Sequence, residues 1–176
     1  FAFKAGLFNI GGQGQLLMGA IFAGAVGFAF TGLPFIIHMP LALFIGGLLG
    51  ALFASIAGVL RAYTGAHEVI TTIMLNFIAI NITDYLANGP WKAEGIIART
   101  PIIQPTAAIP VWGSLPDGFF IAAFMAFATW YLLFRTTLGY EIRTVGLNPN
   151  AAHYAGINVA RIIVLTMALS GLLAGM

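Results

Sequence analysis

The chain has 176 residues, of which 60% are apolar and only 7% are charged, with a net charge of +2. A soluble domain carries about 25% charged residues, so this chain cannot clothe itself in water and belongs in a membrane. The small net charge and the lack of any basic run exclude a nucleic-acid partner, and the absence of cysteine excludes disulfides and thiolate chemistry. The chain opens at Phe1 and stops at Met176 inside an apolar run, which reads as a piece truncated at both ends.

The first segment out of the ordinary is "GLFNIGGQGQ", residues 6–15. Each glycine costs a helix about 1 kcal/mol against alanine, so a broken or loosely wound segment is expected here. At membrane depth such backbone is tolerated only when buried in protein or lining a watery cavity. Interrupted helices often build solute sites in transporters. Asn9, Gly11, Gly12, Gln13, Gly14 and Gln15 would offer neutral donors and acceptors, suited to hydroxyls or base edges rather than ions. The competing reading is a packing and turn element between helices. No strand precedes the glycines and no Lys-Ser/Thr follows, so the segment is not a phosphate cradle.

Residues 14–33 form the first expected span, and Pro34 and Pro40 bracket an expected tight turn. The second span is 40–61 and the third 69–87. An outer loop, 88–117, holds five of the eight prolines. The fourth span is 118–135, and a fifth begins over 161–176 after a polar loop, 136–160. A bilayer needs about 20 residues per helix, and only helices or closed barrels keep their backbone bonds internal. The expected fold is therefore all-α, a single polytopic bundle. Small residues at four-residue spacing (Gly46, Gly50, Ala54, Gly58; Gly19, Ala23, Gly27) mark close helix contacts, within the chain rather than along a dimer seam. Alternating spans place Arg61, Arg135, Arg143 and Arg161 on one side and Lys92 and Arg99 on the other. The positive-inside rule makes the first side cytoplasmic. Trp91 and Trp112 fit an outer interfacial belt, and Lys4 is left unassigned.

Glu68, Thr72, Asn76, Ala79 and Thr83 share one face of the third span. Such a stripe should face the bundle interior or a pore, with Thr72 and mid-span Asn76 on a solute path. The alternative for Asn76 is an interhelical hydrogen bond worth about 0.6 kcal/mol. His67 and Glu68 sit at a membrane edge in structural roles, and nothing completes a metal site. The stretch "GLNPNAAHYAGI", 146–157, reads as a short capped helix: Asn148 as N-cap, Pro149 at the first position, Gly156 as left-handed stop. It is too short to span a bilayer, and its apolar side is too small to hold a membrane surface well. Its small face, with Tyr154 as an aromatic handle, suits docking into a partner.

Three ordered stretches, "GLFNIGGQGQLLMGA", "TGAHEVITTIMLNFIA" and "GYEIRTVGLNPNAAHYAGINVARI", resemble the permease subunits of bacterial ABC importers. The branch is that of branched-chain amino acid, simple-sugar and nucleoside permeases, and nucleoside and simple-sugar permeases are the most similar. The resemblance implies a paired permease, alike or paralogous, in the bacterial inner membrane. It also implies a separate ATP-binding subunit that hydrolyses ATP, and an extracytoplasmic solute-binding protein; no cofactor resides in this chain. It matches Gly146, Asn148, Pro149, Ala151, Ala152, Tyr154, Ala155, Gly156 and Ile157 to the ATPase-coupling loop, and Asn9, Gly11, Gly14 and Gln15 to the first motif. Relatives often carry an acidic residue where Gln13 stands and asparagine where His67 stands. A branched-chain amino acid importer is the alternative solute reading. An ATP-independent carrier or channel is the alternative mechanism. An intramembrane enzyme would need a nucleophile, base or metal at depth, and none is in evidence.

Overall fold

The computed structural model describes residues 1–95, 99–112 and 115–176. A 3-10 turn at Ala2–Ala5 leads through extended chain to α1 (Gly12–Ala29). α2 (Phe35–Val59) runs on through a π-helical turn, Leu60–Thr64, and stops at Gly65 in the left-handed region (φ 71°). α3 (Glu68–Asn88) follows, then an outer stretch with a two-residue antiparallel ribbon, β1 (Val111–Trp112) against β2 (Leu115–Pro116). α4 (Gly118–Arg135), α5 (Thr137–Leu147), α6 (Pro149–Tyr154) and α7 (Val159–Gly175) complete the chain. Among the described residues, four helices, α1, α2 with its π-turn, α3 and α4, are long and apolar enough to cross a membrane, and α7 is a shorter apolar helix. This is an all-α polytopic bundle.

Two expectations are corrected. Pro40 lies inside α2 and does not end a turn. The break is confined to residues 30–34, where Gly32 takes a left-handed φ of 86°. Membrane helices tolerate proline because neighbouring groups take up the carbonyl it frees. The polar loop 136–160 also contains an unexpected eleven-residue helix, α5. Thr136 caps it by accepting from the Gly139 N–H at 3.2 Å. Gly139 lets α5 fold back on the end of α4, since a Cβ there would strike the Leu132 and Leu133 carbonyls. Ile142 and Val145 are buried beneath it.

The bundle is centred on α7, which packs against α2 and α1, while α3 packs on α1. Lipid gives no hydrophobic drive between helices, so close backbone approach must hold them. Glycine supplies it. A Cβ on Gly46 would stand 2.8 Å from the Gly175 carbonyl oxygen, and one on Gly58 3.1 Å from Met167 Cβ. Cβ atoms on Gly19, Gly50 and Gly171 would strike the backbone of the facing helix outright. Gly27, from the same sequence pattern, instead admits Ile103 of the outer stretch. α4 buries only Leu133 in the bundle and exposes Phe119, Phe120, Phe124 and Phe127.

The outer stretch is pinned to α1 and α2. The Gln104 N–H donates to the Gly27 carbonyl at 2.9 Å. Buried His38 donates from Nε2 to the Val26 carbonyl at 3.1 Å. Its Nδ1 pairs with the Thr106 hydroxyl at 2.8 Å. Trp91, expected in an interfacial belt, packs edge-on against Phe22 and Phe28 at 5.4 and 6.1 Å. The expected belt role of Trp112 lies outside the described side chains, as do residues 96–98 and 113–114 of the expected loop.

Gly171→Val should separate α7 from α2 and lower the thermal-unfolding midpoint of the detergent-solubilised protein by many degrees. Gly24→Ala, with nothing within 4 Å of the new Cβ, should leave the midpoint unchanged or raise it.

Candidate functional site

The segment ahead of α1 is broken as its glycines suggest, and the break is held by a lattice of uncharged amides. Asn9 and Gln15 form a reciprocal pair: Asn9 Nδ2 donates to Gln15 Oε1 at 3.0 Å, and Gln15 Nε2 donates to Asn9 Oδ1 at 3.0 Å. Asn9 Nδ2 also donates to Ser170 Oγ of α7 at 3.0 Å. Asn9 Oδ1 accepts from the Gly11 N–H at 2.9 Å. From α3, Asn76 Oδ1 accepts from the Gly14 N–H at 2.8 Å, and its Nδ2 donates to the Ile10 carbonyl at 3.0 Å. The start of α1 is thus clasped by α3 on one side and α7 on the other.

Its depth follows from helix rise. Ser170 lies eleven residues past Val159, about 16 Å along α7, and Asn76 lies eight past Glu68, about 12 Å along α3. A hydrocarbon core is about 30 Å thick, and the clasp lies about half that distance in from the arginine-rich ends of both helices. An unsatisfied polar group there costs several kcal/mol, which explains why the break comes with its own partners.

The expected path residues divide into two sets. Asn9 and Gln15 are committed to each other, and Gln15 is 1% exposed. Gly11 and Gly14 are close-approach positions, where a Cβ would stand 2.8 Å from Gln15 Nε2 and from Asn76 Oδ1, respectively. Thr72 is fully buried and donates to the Glu68 carbonyl of its own helix at 2.8 Å. Asn76 keeps one N–H and one lone pair after its two bonds. Gln13 is exposed, and Gly12 has open space beside it. Of the expected path residues, Gln13, Gly12 and half of the Asn76 amide are therefore the ones not taken up by the clasp.

The expected coupling segment forms the helix its caps predict. Asn148 Oδ1 accepts from the N–H groups of Asn150 (3.0 Å) and Ala151 (3.1 Å), and Pro149 takes the first position. Gly156 closes α6 at φ 82° with Gly156 N–H to His153 carbonyl and Ile157 N–H to Ala152 carbonyl, both 3.0 Å: a Schellman motif. Its faces differ from the expected docking surface in one respect. Ala152 is 0% exposed, packed into the chain's own core, whereas Tyr154 is 90% exposed and Leu147 88%. Ala151 and Ala155 also face outward. Gly146 makes a close contact within the chain. A Cβ there would strike the Lys4 carbonyl, and Gly6 returns the approach with its Cβ direction 3.4 Å from the Gly146 carbonyl. This contact places Lys4 on the arginine-rich side. It also joins α5 directly to the segment that carries Asn9.

Sequence reasoning missed Ser170, His38 and Thr106. Ser170 is a lone hydroxyl in an apolar run with no local signature. Only the packing of α7 on α1 brings it to Asn9. Glu68, expected at the helix start, is also an ion-pair partner of Arg61, whose Nε lies 3.3 Å from its Oε2. Among the described residues, no group of three His, Cys, Asp or Glu could hold a metal.

The chain is a multi-span helical bundle with an amide-lined segment ahead of its first long helix and a short capped helix at its arginine-rich end. The chain belongs to the family described as branched-chain amino acid transport system / permease component, which matches residues 1–176. It is 39% identical over 185 residues to the guanosine ABC transporter permease protein NupP of Bacillus subtilis, covering 100% of this chain and 52% of the relative. It is 38% identical to the nucleoside ABC transporter permease protein NupB of Lactococcus lactis, covering 99% of this chain and 51% of that one. It is 32% identical to the glucose ABC transporter permease protein TsgB13 of Haloferax volcanii, covering 98% and 49%. The chain thus spans about half the length of the curated relatives it matches. No solved structure matches it significantly.

Asn9→Leu should strand Gln15 and Ser170 and cost about 1–3 kcal/mol, read as a lower midpoint in reversible SDS unfolding. Gln13→Leu, which breaks no bond in the clasp, should leave that midpoint unchanged.

Proposed function

We propose that the chain is part of the permease subunit of an ATP-driven importer and lines the translocation path for a polar neutral solute, a nucleoside or simple sugar. The observation that carries this reading is the amide clasp: a break ahead of the first long helix, well in from the arginine-rich end, furnished with Asn, Gln and Ser and no charged side chain. Neutral donors and acceptors match hydroxyls and base edges. A free amino acid brings two opposite charges into the membrane and calls for charged partners, so the clasp favours nucleosides and sugars over branched-chain amino acids. The relatives named for guanosine, nucleosides and glucose agree with that choice.

The arginine-rich end is cytoplasmic by the positive-inside rule, in the bacterial inner membrane. There α6 and the end of α5 dock an ATP-binding subunit through Tyr154 and Leu147, with Pro149, Ala151 and Ala155 in the contact and Asn148 and Gly156 setting its shape. A second permease subunit completes the path, and a solute-binding protein delivers solute from outside. This chain binds no cofactor, and ATP is hydrolysed by the partner. Closure of the ATPase pushes α6, and the push reaches the clasp through α5, Gly146 and residues 4–9. The spans then rock as a body and open the path inward, the alternating-access route. The exposed Tyr154 and Leu147 favour this coupled reading over an ATP-independent carrier, which has no use for such a helix.

Tyr154→Asp with Leu147→Asp in the full-length permease should cut ATP-driven uptake about tenfold or more, at an unchanged permease level, as loss of an interface anchor does. Uptake at the wild-type rate would sink the docking assignment. Ala152→Arg should instead reduce the amount of folded permease, because it places a charge in the chain's own core.

A further inference from the structure

Among the described residues, two buried side-chain atoms lack a hydrogen-bond partner: Thr166 Oγ1 of α7 and Glu68 Oε2 of α3. Both residues are enclosed, Thr166 at 0% and Glu68 at 7% exposure. Thr166 is out of pattern. Thr72, Thr83, Thr129 and Thr144 each donate to a carbonyl one turn back in their own helix, the usual resort of a helical threonine. Glu68 Oε2 faces Arg61 Nε at 3.3 Å, an ion pair not aligned as a hydrogen bond. Both groups lie on the arginine-rich side of the clasp. Thr166 stands one turn before Ser170 on the same face of α7, and Glu68 stands two turns before Asn76 on the same face of α3. The packing of α2 on α7 also changes along its length. In the outer half, Cβ atoms on Gly50 and Gly175 would strike the carbonyls of Gly171 and Gly46. Nearer the arginine-rich end the approach loosens: a Cβ on Gly58 would stand 3.1 Å from Met167 Cβ and Val164 Cα. There α2 passes into the π-helical turn Leu60–Thr64, which packs on α7, and then into left-handed Gly65. A π-turn within a helix often marks a functional site.

We propose that the α2–α3 corner, residues 60–68, is an inner gate: it swings off α7 about the glycine-packed outer half, and water entering the gap solvates Thr166 Oγ1 and Glu68 Oε2. The closed gate holds two polar atoms away from water without pairing them, so closure carries a desolvation cost that opening removes. The Arg61–Glu68 pair joins the end of α2 to the start of α3, so the corner moves as one unit. The outer half is the fixed side, because backbone in contact with backbone cannot part without losing the packing that holds helices together in lipid. The clasp and α6 stay with α7. The inference rests on the translocation reading above and deepens it by naming where the path opens inward.

The test is thiol accessibility at Thr166→Cys in the full-length permease with its ATP-binding subunit in nanodiscs, cysteines elsewhere in the complex being replaced. Labelling by a charged, water-soluble methanethiosulfonate is timed without nucleotide and after trapping with ATP and vanadate. The two rates should differ about tenfold or more, as a shift between sealed and wetted populations requires. Equal rates in the two conditions, slow or fast, would overturn the gate. Thr166→Val removes the hydroxyl at nearly constant shape. It should raise the thermal-unfolding midpoint by about 2 °C or more and slow ATP-driven uptake several-fold, because the closed state no longer carries the unpaired hydroxyl. Thr166→Ser should keep wild-type uptake. A Thr166→Val complex with wild-type midpoint and wild-type uptake would also overturn the gate. Uptake by the wild-type complex separates the two levels. ATP-driven uptake with no change in labelling keeps the path reading and loses the gate. A complex without ATP-driven uptake loses both.

Discussion

Everything in this bundle depends on backbone-to-backbone contact between α7 and its neighbours at Gly19, Gly46, Gly50, Gly171 and Gly175. In water, burying apolar side chains would bring helices together. In lipid the surroundings are as apolar as the interface, so packing distance and hydrogen bonds decide. The glycines let α7 seat between α1 and α2, and that seat fixes its register. Register in turn delivers Ser170 to Asn9. A longer side chain at any of the struck positions would displace α7, and the clasp would lose one of its partners.

The clasp is the second consequence. A helix interrupted in the membrane frees N–H and carbonyl groups that water cannot reach. Here Asn76 takes up Gly14 and Ile10, and Asn9 takes up Gly11. The same residues that make the break affordable leave Gln13 and Gly12 facing outward. The break also stands one step from the segment proposed for coupling. Gly6 and Gly146 touch, so α5, the opening turn and the clasp are continuous through packed backbone. Such backbone-to-backbone packing has little room to yield, so the proposed push on α6 would be passed on rather than absorbed.

Legibility in the sequence followed the physics of each element. α3 and α4 could be read to within a residue because long apolar runs end in polar or helix-breaking residues. The α6 caps could be read because Asn-Pro and a following glycine act locally. The start of α2 was misplaced because Pro40 stops helices in water but not in a bundle. α5 was missed although Leu138, Ile142 and Val145 carry its period, since eleven residues amid charged neighbours look like loop. Its stability comes from folding back on α4 through Gly139, a tertiary fact. The amide residues were legible as a group, but their division into bonded and free members was not. Ser170, Thr106 and His38 became visible only when distant segments met.

The central claim is that α6 and the clasp move as one body when the ATPase closes. Its direct test is a distance between spin labels at Asn150 and Gln13, both exposed, in the full-length permease with its ATP-binding subunit. The stretch described here contains no cysteine, so labelled cysteines can be placed without competing sites within it. The account predicts the same pulsed-EPR distance distribution with and without ATP, while the distance from Gln13 to a label on the opposing permease subunit changes. A change of several ångströms between Asn150 and Gln13 on ATP binding, with Gln13 fixed relative to the opposing subunit, would contradict it.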